Sequence, residues 1–250
     1  MTRNPIRTVF SVVAVLALLL AACDSDDSSS GDDTGTESGT DSGATTTDDS
    51  GNGELVGTFA VDAGVCDASG FSSGSYLKLV LPDGTVSDGP FFENPDSGCD
   101  DKTFTTVSPG ADGGLVTGSY QPAPDPAFDA DGNSLADAVI EPTPFTAIAF
   151  SISTNEVDPQ LDEGVDAPAI SVSDGELSGQ VSAVVASWNN EFFNQGSPKP
   201  DGSAPGLTAP VSGTYDEATG AYVLEWSSQI VGGPFNDFTG IWHLEGTFTP

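Results

Sequence analysis

Oxygen-bearing residues recur at alternate positions in one acidic segment of the chain. Side-chain oxygens fall at Asp129, Asp131, Asn133 and Asp137, and Leu135 is placed to offer a backbone carbonyl. Calcium takes about six to eight oxygen ligands, and alternate residues of a curled loop can direct them to one centre. The spacing therefore predicts a structural calcium site that holds a long loop in place, with a solvated acidic turn as the alternative.

A second segment interleaves aromatic rings with amide side chains. It contains Trp188, Asn190, Glu191, Phe192 and Phe193. Amides pair with hydroxyl groups as donors and acceptors, and ring faces serve as platforms for flat ligands such as sugars. We therefore expect this segment either to bind a carbohydrate or to act as a plug, with Trp188 and Phe192 packed beneath the long loop that follows.

Three candidates for catalysis are incomplete in the sequence. Residues 70–74 match the G-x-S-x-G pattern, which requires a strand-to-helix turn, but they lead into an alternating strand pattern instead. His243, the single histidine, shares a strand face with Glu245, and no nucleophile is placed beside it. Glu191 and Glu225 lie beside aromatic residues, which favours a carbohydrate-active hydrolase with paired carboxylates as an alternative function. We assign no catalytic residue and favour binding over catalysis.

The cysteines beyond the N-terminal segment form one pair. Cys66 and Cys99 lie 33 residues apart, and an even pair in an exported chain is expected to form a disulfide. Closing a loop of this length restricts the unfolded chain and contributes about 3–4 kcal/mol at best. Because no C-x-x-C spacing is present, a structural bridge is predicted rather than a redox or metal site.

The N-terminal segment has the three parts of an export signal. Arg3 and Arg7 precede an apolar run at 9–20, which as a helix would span about 18 Å, short of the roughly 30 Å hydrocarbon core. The sequence Leu-Ala-Ala-Cys at 20–23 resembles the lipobox of bacterial lipoproteins. The resemblance implies that residues 1–22 are a signal peptide and that Cys23 carries diacylglycerol. We therefore expect a lipid-anchored protein of the bacterial cell envelope, periplasmic or at the cell surface.

Charge separates the rest of the chain into two parts and excludes one class of partner. Residues 24–53 hold nine acidic residues, no base and no aromatic residue, so 23–53 is predicted to be the lipidated cysteine and a disordered acidic linker. The whole chain has 38 acidic and five basic residues. This charge opposes binding to nucleic acid and to an anionic lipid surface, so contact with the membrane is expected through the N-terminal lipid alone.

Residues 54–250 alternate apolar and polar side chains with a period of two. The pattern is clear at 77–81, 148–152 and 242–248, and turn sequences stand at 82–84 and 173–175. It predicts an all-β domain, an antiparallel sandwich of about nine to eleven strands, with a closed barrel as the alternative. The first and last predicted strands, near 57–59 and 246–248, could pair and so close either architecture.

The sequence therefore predicts a lipid-anchored envelope domain with a binding or scaffolding role, stabilised by calcium if the acidic loop is a site. Its partners would be a carbohydrate or an envelope protein. The alternatives are the hydrolase described above and an envelope spacer with no ligand.

Overall fold

The computed structural model describes residues 53–250, and the predictions for the signal peptide, Cys23 and the acidic linker lie outside them except at Gly53, which begins the first strand. This part of the chain forms nineteen β-strands and no helix, so it holds no helix long and apolar enough to cross a membrane. Some connections rich in proline contain strands of two to four residues, which raises the strand number above the nine to eleven expected. The strands are β1 (Gly53–Leu55), β2 (Thr58–Val61), β3 (Val65–Asp67), β4 (Gly70–Ser73), β5 (Tyr76–Thr85), β6 (Gly89–Phe91), β7 (Thr105–Thr106), β8 (Gly114–Val116), β9 (Thr143–Phe145), β10 (Ile148–Thr154), β11 (Val157–Asp158), β12 (Glu163–Gly164), β13 (Ala169–Ser173), β14 (Glu176–Gln180), β15 (Val184–Trp188), β16 (Glu191–Asn194), β17 (Ala209–Tyr215), β18 (Ala221–Gln229) and β19 (Thr239–Thr249).

Eleven strands form the main antiparallel sheet: eight follow the order β1-β13-β14-β17-β18-β19-β2-β8, and β5, β6 and β7 branch from β19. The long strand β19 pairs with β5 through its first half and with β2 through its second half, and β5 also pairs with β6 and β7. The segments near 57–59 and 246–248 do pair, as strands β2 and β19, with Phe59 opposite Phe248. Segment 53–61 pairs with β13 through β1 and with β19 through β2, so the sheet curls back on itself.

A second sheet, in the order β16-β15-β10-β9, packs against the main sheet and makes the fold an all-β sandwich, as predicted. Trp226 and Trp242 stack with ring centroids 5.8 Å apart on the inner side of the main sheet. Phe150 of the second sheet meets Trp242 edge-on at 6.2 Å. Burying these rings stabilises the domain, and it fixes which side of β18 and β19 faces outward.

The turn predictions had two outcomes. Asp174 and Gly175 connect β13 to β14 with positive φ angles of 53° and 79°, which is the two-residue hairpin expected there. The prediction of a turn at 82–84 is wrong, because these residues lie inside β5. Asp83 has a φ of 67° within an irregular stretch of the β5–β6 pairing, and the chain reverses after Thr85 instead. A Pro-Asp-Gly sequence suits a β-bulge as well as a turn.

Candidate functional site

Polar and aromatic side chains form two parallel rows on the outer face of the main sheet, across β5, β19 and β18. Tyr76, His243 and Glu225 lie opposite one another in the first row. Lys78, Ile241 and Ser227 form the second row, two residues further along β5. Because side chains alternate between the faces of a strand, burial of the Trp226 and Trp242 rings turns these rows outward.

His243 lies between two carboxylates. Its Nδ1 is 2.7 Å from Glu225 Oε1 and its Nε2 is 3.3 Å from Glu245 Oε2, which confirms that Glu245 is placed to be its partner. Burial would lower the pKa of His243, but the hydrogen bonds to Glu225 and Glu245 outweigh it and raise that pKa above its ordinary value. The same contact lowers the pKa of Glu225, so this carboxyl is held as an anion.

An aromatic cluster covers the Tyr76 end of the first row. Phe71 and Phe104 stack with centroids 4.8 Å apart, and both meet the Tyr76 ring edge-on. Tyr76 in turn stacks on His243 at 4.6 Å. The predicted disulfide is confirmed: Cys66 and Cys99 have Cα atoms 5.3 Å apart. It ties the hairpin of β3 and β4, which carries Phe71, to the loop that leads to Phe104.

Lys78 extends from the second row over two aromatic rings. Its ammonium group lies 3.6 Å from the centroid of Phe91 and 4.4 Å from that of Phe104. Burial lowers the pKa of Lys78, and the attraction of Asp101 opposes that shift in part. Asp101 itself accepts hydrogen bonds from Thr103. Among residues 53–250, no carboxylate lies within ion-pair distance of Lys78 and no acceptor is hydrogen-bonded to it.

The two rows form the floor of a groove of about 340 Å³, which we call the outer groove. Its volume lies in the usual range of small-molecule sites. Its walls come from β5, β6, β17, β18 and β19 and from the segments before β6 and β7. The lining residues are Tyr76, Lys78, Val86, Ser87, Phe91, Phe104, Ala209, Pro210, Ser212, Glu225, Trp226, Ser227 and Ile241.

A larger polar cleft of about 520 Å³ lies beside a buried lysine, between the loops around 156–166 and 198–202. Lys199 is 5% exposed, and its ammonium donates to the carbonyl oxygen of Asn194 at 2.8 Å and to Ser228 Oγ at 2.7 Å. The Asn194 side chain donates to the buried carboxylate of Asp158. These internal bonds link the loops to β18, so the network has a structural role and leaves the outer groove as the stronger candidate.

The predicted calcium loop keeps its shape with its own hydrogen bonds. Asp129 accepts the backbone N–H groups of Asp131 and Asn133 and the side-chain amide of Asn133. These bonds lower the pKa of Asp129. The Asn133 oxygen accepts the N–H of Ala149. Among residues 53–250 no three His, Cys, Asp or Glu side chains are grouped to hold a metal ion, so Asp129, Asp131 and Asp137 are not brought together. Leu135 is exposed, and its N–H donates to the carbonyl oxygen of Ala127.

The predicted carbohydrate segment is used mainly for packing. Trp188 donates from Nε1 to the carbonyl oxygen of Phe145 and packs on Phe235 at 5.4 Å, while Phe193 is 6% exposed. Phe192 contacts Phe128 at 5.1 Å. The plug interpretation therefore describes Trp188 and Phe192, although the covering segments are those of Phe235 and Phe128 rather than the loop after β16.

The polar members of that segment form a turn and an exposed strand start. Asn189 and Asn190 make the turn between β15 and β16 with positive φ angles of 52° and 62°, and Glu191 is exposed. An Asn-Asn pair between two alternating runs is a hairpin signal, which the functional interpretation of its amides overlooked.

Among residues 53–250, no hydrogen bond joins the catalytic candidates Ser72 and His243. The G-x-S-x-G segment is strand β4 and the turn after it, and Ser72 Oγ lies 3.3 Å from the carbonyl oxygen of Val65. A paired-carboxylate hydrolase needs one carboxyl group with a raised pKa to act as the acid. In the described part of the chain, the pKa is lowered at each carboxyl group where it clearly departs from the ordinary value: Asp67, Asp101, Asp129, Asp201 and Glu225.

Sequence reasoning did not identify the outer groove, although one signal for it was present. Tyr76 and Lys78 alternate with buried leucines, so they occupy the same face of β5. Their partners Phe91 and Phe104 come from irregular segments that no periodicity marks.

No protein-family model matches this chain, and no curated protein or solved structure matches it significantly.

Proposed function

We propose that this protein is a lipid-anchored binding domain of the bacterial cell envelope and that it binds a small ligand in the outer groove. The observation that supports binding is the groove itself. Ring faces, an ammonium and a carboxylate from several strands line one concave surface of about 340 Å³. Binding sites of this kind combine apolar walls with a few placed polar groups.

The envelope location is supported by the sequence of the leader and by the disulfide. The lipobox-like sequence ending at Cys23 provides the anchor, and the Cys66–Cys99 bridge suits an oxidising compartment outside the cytoplasm. Metabolic labelling with an alkyne fatty acid should mark the wild-type chain and leave Cys23→Ser unlabelled. Equal labelling of both chains would contradict the anchor.

The hydrolase alternative has less support than binding. The acid near the groove, Glu225, accepts a hydrogen bond from His243 and is held as an anion, which suits contact with a ligand and not proton donation. The spacer alternative predicts that no small molecule occupies the groove, so a binding experiment separates it from the proposal.

The test is calorimetric titration of the full chain in detergent micelles with a panel of free amino acids, short peptides and oligosaccharides. We expect at least one class to bind the wild type and to lose binding in Ser212→Trp, which fills the groove from an exposed position. The matched control is Thr247→Trp, an exposed residue on β19 outside the groove. A wild type that binds no member of the panel would support the spacer.

A further inference from the structure

The outer groove holds charges of both signs that do not neutralise each other. Lys78 has neither an ion-pair partner nor a hydrogen-bond acceptor among the described residues. Glu225 uses Oε1 for His243, while its side chain is 48% exposed and Oε2 makes no hydrogen bond in residues 53–250. Each group therefore keeps capacity for a partner from outside the chain.

This arrangement is unusual for a chain of this composition. Residues 53–250 contain 29 acidic residues and three lysines, yet none of these lysines forms an ion pair within the described structure. Lys102 donates one hydrogen bond to the carbonyl oxygen of Ser97, and Lys199 donates two to neutral oxygens, so each of these ammonium groups has at least one internal acceptor. Lys78 alone of the three has no hydrogen-bond acceptor among the described residues, and its ammonium lies over the rings of Phe91 and Phe104 while Asp101 attracts it from beyond ion-pair distance.

The strand geometry sets the distance between the two charges. Lys78 and Glu225 are two strands apart and two residues out of line, so strand spacings place their Cα atoms about 12 Å apart. The ammonium leans away from Glu225, over rings from the other side of β5. A ligand that reaches both groups must carry its own charges well separated, which excludes a single free amino acid.

The net charge of the domain further restricts the chemical class of the ligand. A purely anionic ligand would approach against the field of the 29 acidic residues. A purely cationic ligand would be repelled by Lys78 inside the groove. A ligand with one charge of each sign satisfies both groups, and a peptide of two or three residues spans about 7–11 Å between its termini.

We infer that the outer groove binds a short peptide as a zwitterion, with the carboxylate of the peptide on Lys78 and its ammonium on Glu225. The inference rests on the proposed binding function and specifies its ligand. Ile241 on the floor of the groove and the rings of Phe91 and Phe104 in its wall form an apolar surface that would contact small side chains of the peptide. Charge-assisted hydrogen bonds at the two ends give the orientation.

The test titrates the full chain in micelles with trialanine, N-acetyl-trialanine, trialanine amide and the neutral trisaccharide maltotriose. We expect trialanine to bind and each blocked form to bind about tenfold more weakly or worse, because each loses one charge-assisted contact. These ligand changes leave the protein unaltered, so they do not depend on the folding of a variant.

Variants give the matching protein-side result. Lys78→Met keeps the aliphatic stem and should abolish discrimination between trialanine and trialanine amide. Glu225→Gln keeps an acceptor for His243 and should abolish discrimination between trialanine and its acetylated form. Lys102→Met and Glu176→Gln change charges outside the groove, so both variants should still discriminate trialanine from its amide and from its acetylated form.

These experiments distinguish failure of the zwitterionic-peptide inference from failure of the proposed binding function. Equal binding of trialanine and both blocked forms, or binding of maltotriose without trialanine, overturns the zwitterion and leaves a binding groove. Absence of binding by every probe in this set and in the wider panel overturns both.

Discussion

The ammonium group of Lys199 donates a hydrogen bond to the hydroxyl of Ser228 over 2.7 Å, and both residues are buried. The Ser228 hydroxyl in turn donates a hydrogen bond to the carbonyl oxygen of Gly196 at 2.7 Å. Burial lowers the pKa of Lys199 from 10.5 to about 8, against the attraction of Asp158 and Asp201. The cation is therefore held in the interior by neutral oxygens, at a cost to stability.

The buried lysine predicts that the domain becomes more stable as the pH rises from about 8 to 10. In this range the unfolded chain binds a proton at Lys199 that the folded chain has released, so raising the pH favours folding. A shift from 10.5 to about 8 corresponds to a gain of about 2 kcal/mol between pH 7.5 and 10. Urea denaturation at a series of pH values measures this change in the free energy of unfolding.

The matched pair of variants separates Lys199 from other groups that titrate. Lys199→Met should remove the rise of stability above pH 8, because its side chain has no proton to release. Lys102→Met should keep the rise, because its ammonium is partly exposed and bonds to Ser97. A rise that persists in Lys199→Met would show that the lysine is not its source.

His243 should titrate above its ordinary pKa of 6.5, because the bonds to Glu225 and Glu245 outweigh burial. Its contribution to stability is complete below pH 6.5 and is lost as the pH rises through the raised value. As the single histidine of the chain, it gives one ring signal in an untagged protein. NMR titration of that signal should give a lower midpoint in Glu225→Gln than in the wild type.

The control for this titration changes a distant carboxylate. Glu176→Gln removes an exposed acid of β14 and should leave the His243 midpoint near the wild-type value. A midpoint at or below 6.5 in the wild type would mean that desolvation dominates and that the carboxylates do not hold the ring as described.

The strands and the disulfide were predictable because each depends on local or countable features. Trp242 and Leu244 alternate with His243 and Glu245, and a period of two places the latter pair together on the outer face of any antiparallel sheet. Cys66 and Cys99 were the remaining pair once Cys23 was assigned to the anchor. The register that brings Glu225 to His243 is a long-range property that periodicity does not specify.

The groove itself was not predictable from these patterns. The position of Lys78 depends on Phe91, which follows an irregular pairing of β5, and on Phe104, which lies in a loop held by the disulfide. The aromatic segment at 188–193 was more conspicuous in composition, yet Trp188 and Phe193 fill space beside the core. Composition identifies rings without showing which face of the fold receives them.

The acidic loop is predicted to be stabilised by Asp129 and not by calcium. Asp129→Ala removes three hydrogen bonds of the turn and should lower the melting temperature, whereas Asp131→Ala changes an exposed side chain and should not. The wild type should melt at the same temperature in calcium and in a chelator. A rise of the melting temperature in calcium that Asp131→Ala abolishes would contradict this prediction and support the calcium site.

Gly246 stands where β19 passes from pairing with β5 to pairing with β2, and this crossing depends on the absence of a side chain. A Cβ atom at this position would lie 1.9 Å from the carbonyl oxygen of Ala60, so one of the two backbones must move. Because both belong to the main sheet, Gly246→Ala should destabilise the domain by about 2–4 kcal/mol in urea denaturation. Thr247→Val, an exposed neighbour, should change stability by no more than about 0.5 kcal/mol. If Gly246→Ala were as stable as Thr247→Val, the close approach of β2 to β19 described here would be contradicted.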